Sequence, residues 1–219
     1  MMGNYLIEEE TAFVTAAFRL QNVFDASHEF SWDNREYRRH IQAIIAQEKP
    51  DFTSLVDVGC GGGKLLDLIG QEYPGRRIYG IDPVYRGQRV VAGNVYGSLA
   101  RTEPVDVILL KEVLQHVTSV PYALARLTRM LNREGVIIII DRNPVSFLGL
   151  RKSLYERLGL WMYPQDSPFK ERWYYSWRWR QMLERIGRVV YFHGHNSRSG
   201  RSLFLARDNR YFVIALRPF

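Results

Sequence analysis

Two hydrophobic periods alternate along this chain. Short runs that are apolar at most positions, such as Ser54-Leu-Val-Asp-Val, Arg77-Ile-Tyr-Gly-Ile and Val105-Asp-Val-Ile-Leu-Leu, give way to stretches whose apolar residues recur every three or four positions. That alternation encodes parallel strands covered by helices, each helix burying one apolar stripe on the sheet. Strands are expected near residues 54–58, 77–81, 88–92, 105–110 and 135–141, and helices near 64–73 and 121–132, where Pro121 suits a first helical turn. Upstream, residues 8–24 and 34–48 are helix-like, the second carrying Tyr37, Ile41, Ile44 and Ile45 at helical spacing before Lys49-Pro50 ends it. The tail adds two further strands, Val189-Val-Tyr-Phe-His and Tyr211-Phe-Val-Ile-Ala-Leu, with Ser197 to Arg207 between them as a turn and an extra ribbon. The expected fold is α/β, a doubly wound and mostly parallel seven-stranded sheet with helices before it.

Residues 142–180 break this alternation and are rich in aromatics. Phe147, Leu148, Leu150, Leu154, Tyr155 and Leu158 could form one face of an amphipathic helix, with Arg151, Lys152, Glu156 and Arg157 largely opposite. Trp161, Tyr163, Phe169, Trp173, Tyr174, Tyr175, Trp177 and Trp179 follow. Such rings either fill ordinary core or line a pocket, and aromatic side chains give large contact area at low entropic cost. A basic amphipathic helix with tryptophans could also rest on a membrane surface, so peripheral contact through 145–180 is a further expectation.

Composition bounds these readings. A chain of 219 residues, 46% of them apolar, can bury one sizeable α/β core, and a single domain is expected over 1–219. The formal charge of +7 raises the question of nucleic acid, but 25 of the 30 basic residues are arginines and they are dispersed rather than collected into an arm. Nucleic acid is therefore not the expected partner. The first residues lack a basic, apolar, small-residue leader, and no apolar run approaches the ~20 residues that span a bilayer, so a cytoplasmic protein is expected. Cys60 is the single cysteine and reads as a small spacer within a glycine loop.

That loop carries the chemistry. Asp57, Gly59, Gly61 and Gly63 read D-x-G-x-G-x-G at the end of the first apolar run, where missing Cβ atoms let backbone turn sharply and approach a ligand. The dinucleotide fingerprint G-x-G-x-x-G fails, because its third glycine would fall on Lys64 or Leu66. The segment instead resembles motif I of the class I S-adenosylmethionine (SAM) dependent methyltransferases, of the Rossmann-like superfamily. Asp82 follows Gly63 by nineteen residues and closes the strand Ile78-Tyr-Gly-Ile, where the family places the acid that holds a ribose diol. Gly93-Asn94-Val95 resembles the family's Gly-Asp contact to the adenine amino group, with Asn94 a departure whose amide oxygen can still accept that bond. Val105 to Val117 resembles the fourth strand and its turn, and Leu127 to Ile140 the helix, glycine turn and fifth strand. The resemblance covers Ser54 to Asp141, about 40% of the chain. It implies SAM as cofactor, held by Asp57, Gly59, Cys60, Gly61 and Gly63, by Asp82 and Pro83, by Asn94 and Val95, and by Lys111.

It also implies a division of labour: N-terminal helices over 1–50, the SAM-binding core over 51–141, a lid and acceptor segment over 142–180, and C-terminal strands over 181–219. Trp173, Tyr174 and Trp177 are the expected substrate contacts. Methyl transfer needs mainly proximity and alignment, and an oxygen acceptor must also lose a proton. His116, beyond the fourth strand, is the candidate catalytic base, against a purely structural histidine. Glu112-Val-Leu-Gln115-His116 resembles an E-x-x-E-H metal segment in which Gln115 replaces an acid, which weakens a hard-cation site, so no metal is expected. His193 and His195 share a strand face without a third ligand nearby, and His28 lies in an aromatic-polar connection. The reading is methyl transfer to a small molecule, at oxygen, in metabolite or glycan biosynthesis. An RNA or protein methyltransferase and a non-catalytic SAM-binding partner subunit are the alternatives.

Overall fold

A computed structural model describes residues 31–83, 87–95, 103–117, 119–142, 176–193 and 211–219. The helix expected at 8–24, the ribbon at 197–207 and nearly all of the 142–180 segment lie outside the described residues. Seven strands, β1 (Ser54–Val58), β2 (Arg77–Asp82), β3 (Val90–Ala92), β4 (Val105–Lys111), β5 (Leu131–Arg142), β6 (Gly187–His193) and β7 (Tyr211–Pro218), form one sheet in the order β3-β2-β1-β4-β5-β7-β6. All neighbours run parallel except β7, which is antiparallel to both β5 and β6. The order reverses beside β1, and in open α/β sheets the crevice outside the carboxyl ends at such a switch point is where ligands bind.

The strands read as solid apolar runs because both faces are covered. On one face Leu55, Val107, Leu109, Ile138 and Val213 pack against α1 (Ser31–Glu48) and α2 (Lys64–Glu72), through Tyr37, Ile41, Ile44 and Ile45 of the first and Leu65, Leu66 and Ile69 of the second. On the other, Val56, Ile108, Leu110, Ile137 and Ile139 meet Ala123, Leu124 and Leu127 of α3 (Val120–Thr128), together with Trp179 and Leu183 of α4 (Ser176–Leu183). Trp179 is fully buried beside Phe212, so this ring of the aromatic segment belongs to the core. Among the described residues no helix is long and apolar enough to cross a membrane.

One boundary differs from expectation. The third helix ends at Thr128, β5 starts at Leu131, and Gly135 lies inside the strand rather than in a turn before it. Val105 pairs with Leu131 but Val107 pairs with Val136, so the intervening residues bulge from the ladder. Asp106 fixes the bulge, its Oδ1 accepting a 2.7 Å hydrogen bond from the Asn132 amide. A Cβ on Gly135 would come within 3.0 Å of the Asp106 carbonyl oxygen, so this glycine answers to close packing.

Candidate functional site

The chain leaves β1 through a loop whose shape its glycines dictate. Gly59, Gly61 and Gly63 adopt φ of 78°, 54° and 82°, the left-handed region that side chains disfavour. The Gly59 amide donates to the Ile81 carbonyl at 2.7 Å and pins the loop to β2. A Cβ on Gly59 would collide with Val113, whereas one on Gly61 or Gly62 would meet nothing within 4 Å. The loop therefore has a packed side and an open side. Gly63 closes it by accepting the Asp67 amide at 2.9 Å, which starts α2. Cys60 turns inward against Gly80 of β2, where a Cβ on that glycine would run into its sulfur. Burial, reinforced by Asp57 and Asp82, pushes the Cys60 thiol up, so it is no thiolate nucleophile.

Two buried carboxylates flank the loop. Asp82 ends β2, and its Oδ2 accepts the Gly61 amide at 2.9 Å while its carbonyl accepts the Gly93 amide at 3.1 Å. One residue thus ties the glycine loop to the turn carrying Asn94, half-buried, and Val95, buried. Pro83 follows it, half-buried. Asp57, fully enclosed in β1, has one oxygen, Oδ1, without a hydrogen-bond partner. Burial lifts its carboxyl to about 7, with Lys111 opposing the rise and Asp82 adding to it. An orphaned acid beneath a loop with an open glycine face fits a ligand that brings hydrogen-bond donors and positive charge, as SAM does.

The end of β4 completes the rim. Lys111 places its ammonium 5.5 Å from the Tyr37 ring centroid. Glu112 holds φ 56°, the one positive φ outside glycine among the described residues, and accepts a long 3.5 Å hydrogen bond from the Tyr37 hydroxyl. His116 sits in a 3-10 turn, Leu114–His116, beyond the carboxyl end of β4 as expected. Its side chain lies outside the described residues, as do Trp173, Tyr174, His28, His195 and the side chain of Trp177. Among the described residues no three His, Cys, Asp or Glu side chains group as a metal site.

A second cluster escaped the sequence reading. His40, on α1, is held between two tyrosine hydroxyls, Tyr191 at 2.8 Å from Nδ1 and Tyr211 at 3.1 Å from Nε2. The His193 ring lies 4.4 Å from that of His40 by centroids. The signal available was Tyr37 and His40 three residues apart, an interruption at one end of an otherwise aliphatic helix face.

Comparison with known proteins agrees with this fold. A family model described as a methyltransferase domain matches residues 30–203. A ubiquinone biosynthesis O-methyltransferase of Rhodopseudomonas palustris is 28% identical over 110 residues, which span 42% of this chain and 42% of that relative's length. A possible histamine N-methyltransferase of Thermotoga maritima shares the fold with a TM-score of 0.59 at 18% identity, over 97% of this chain and 99% of that one. A plantazolicin methyltransferase solved with a substrate analogue and S-adenosylhomocysteine (SAH) does so at 0.61 and 15%, over 98% and 96%. With the family model matched over more than half of the chain and the strand order just described, the chain belongs to the methyltransferase-domain family and has the class I methyltransferase fold.

Proposed function

We propose that this enzyme methylates a hydroxyl oxygen of a small-molecule acceptor, within one domain built as a donor-binding core and an acceptor segment. The observation that carries the donor half is the Gly61 to Asp82 hydrogen bond, which sets an acid beside the open face of the glycine loop. When bound, SAM supplies an electrophilic methyl on a cationic sulfur. The chain's part is to bind, align and exclude water. Asp82 is the carboxylate that accepts from a ribose diol, and the Asn94 amide oxygen can accept from an adenine amino group. The loop from Gly59 to Gly63 brings backbone close, with Cys60 as the spacer beneath it. Asp57 offers its orphaned oxygen to an ammonium, and Pro83, Val95 and Lys111 wall the crevice.

On the acceptor side, His116 stands at the carboxyl end of β4 as the group to receive the acceptor's proton, and Trp173, Tyr174 and Trp177 contact the substrate. Support for oxygen comes from the O-methyltransferase relative, whose match covers 42% of this chain. Calorimetry tests the donor half: SAH should bind and NAD should not, and the reverse would sink it. Incubation with SAM and paired hydroxylated and amino acceptors tests the other half, and a methyl group found on nitrogen by mass spectrometry would overturn the oxygen assignment.

A further inference from the structure

Tyr37, His40, Glu112, His193 and Tyr211 converge at the same edge of the sheet as the glycine loop. His193 ends β6, which runs parallel to β5, Glu112 follows the end of β4, and Tyr211 opens the antiparallel β7 opposite Arg142 at the end of β5. The rings form a continuous wall. Tyr37 meets Tyr211 edge-on at 4.9 Å, His40 meets Tyr211 edge-on at 5.8 Å, and His193 lies tilted 4.4 Å from His40 and 6.1 Å from Tyr211. Tyr37 and Tyr211 are buried, whereas His40, His193 and Glu112 are half-buried and turn part of their surface outward.

We infer that this cluster is an acceptor-anchoring subsite that takes a neutral, hydroxylated aromatic ring. The inference rests on the donor reading above and extends it to the substrate. A wall of offset and edge-on rings gives a planar aromatic a stacking partner. The half-buried His193 ring can meet a ligand hydroxyl, itself both donor and acceptor, through its imidazole nitrogens. Charged acceptors fit less well, because Lys111 and Glu112 bring opposite charges to the same strand end. The site is also ordered in advance: hydrogen bonds from both sides fix the His40 ring plane, so little side-chain freedom is lost on binding. The positive φ of Glu112 belongs to the same picture, since backbone strain in a non-glycine residue concentrates at ligand sites.

The test uses the full chain labelled with 15N-histidine, saturated with SAH and titrated with catechol, with benzylamine and benzoate as charged comparators. The five histidines are assigned by His→Gln variants. Catechol should shift the ring signals of His40 and His193 saturably, and the charged probes should not. Tyr211→Phe, which keeps the buried ring and removes one of the two hydrogen bonds that fix His40, should weaken catechol by roughly three- to tenfold and leave SAH affinity unchanged. His193→Gln, at a half-buried strand end, should weaken it similarly and carries the prediction if Tyr211→Phe does not fold. With SAH demonstrably bound, unshifted His40 and His193 signals at tens of millimolar catechol would overturn the subsite, as would equal shifts from benzylamine or benzoate. Failure of SAH itself to bind would instead overturn the donor reading, and this subsite with it.

Discussion

The Gly61 amide donates to the Asp82 carboxylate across 2.9 Å, joining the loop after β1 to the last residue of β2. The same residue accepts the Gly93 amide on its carbonyl, so it ties the left-handed glycine loop to the turn that carries Asn94. On the function proposed above, loop shape and donor recognition are coupled through one side chain.

That coupling sets the first prediction. Asp82→Ala should weaken SAH binding by ~1 to 3 kcal/mol, the range for losing hydrogen bonds to a charged group, because it removes both the loop tether and the proposed ribose acceptor. Gly61→Val should abolish binding, since the residue sits at φ 54° and its side chain would enter the open face of the loop. Calorimetric affinities equal to wild type in either variant would place the donor elsewhere.

A second prediction concerns the seat of the loop. A Cβ on Gly80 would run into the Cys60 sulfur, with the Cys60 Cβ at 2.9 Å, so Gly80→Ala should destabilise the fold by ~1 to 3 kcal/mol through overpacking. Cys60→Ala removes the sulfur and should recover part of that loss. A double-mutant cycle by urea unfolding measures the coupling, and strict additivity would show that the two residues do not meet.

Asp57 gives a pH prediction with a definite sign. Its carboxyl is lifted from the ordinary 3.8 to about 7, chiefly by burial. Between those values the folded chain keeps a proton that the unfolded chain releases, so this group's contribution to stability falls as pH rises from about 4 to about 7 and is level above, with a slope of at most ~1.4 kcal/mol per pH unit. Asp57→Asn should flatten that portion of the stability profile, read by denaturant unfolding of the ligand-free chain. A profile unchanged by the substitution would show that Asp57 is already ionised when folded.

How much of this was legible in the sequence follows from range. Tyr37, Ile41, Ile44 and Ile45 share a helical stripe, and all four are buried where the period put them. The glycine loop was legible because D-x-G-x-G-x-G is local: each glycine answers to its own φ. The end of α3 was not, because the bulge that draws residues 131–135 into β5 is fixed by Asp106 from the neighbouring strand, and no local pattern records that partner. The His40 cluster stayed hidden for the same reason. It assembles residues 151 and 171 positions apart, and His193 read alone paired more naturally with His195 on its own strand than with a helix near the start of the chain.

Asp106 supports the last prediction. Its side chain is buried at the amino end of β4, remote from the crevice. Burial alone would raise its carboxyl, but the Thr53 amide at 2.7 Å, the Asn132 side chain at 2.7 Å, the Thr53 hydroxyl at 2.8 Å and the Ser54 amide at 3.2 Å all donate to it and hold it down at about 2. Because the folded value lies below the ordinary 3.8, the stabilisation is fully present above pH 4 and is lost as pH falls towards 2. Asp106→Ala should cost ~2 to 3 kcal/mol at neutral pH by leaving several buried donors unpaired. Asp106→Asn should recover little of it, since the new amide turns a donor towards the donors of Thr53, Ser54 or Asn132. Both variants should bind SAH as wild type once folded, because the carboxylate clamps β1 to the bulge of β5 and touches nothing at the carboxyl edge. Unfolding that left Asp106→Asn as stable as wild type, or a selective loss of SAH affinity without loss of stability, would refute this account of the clamp.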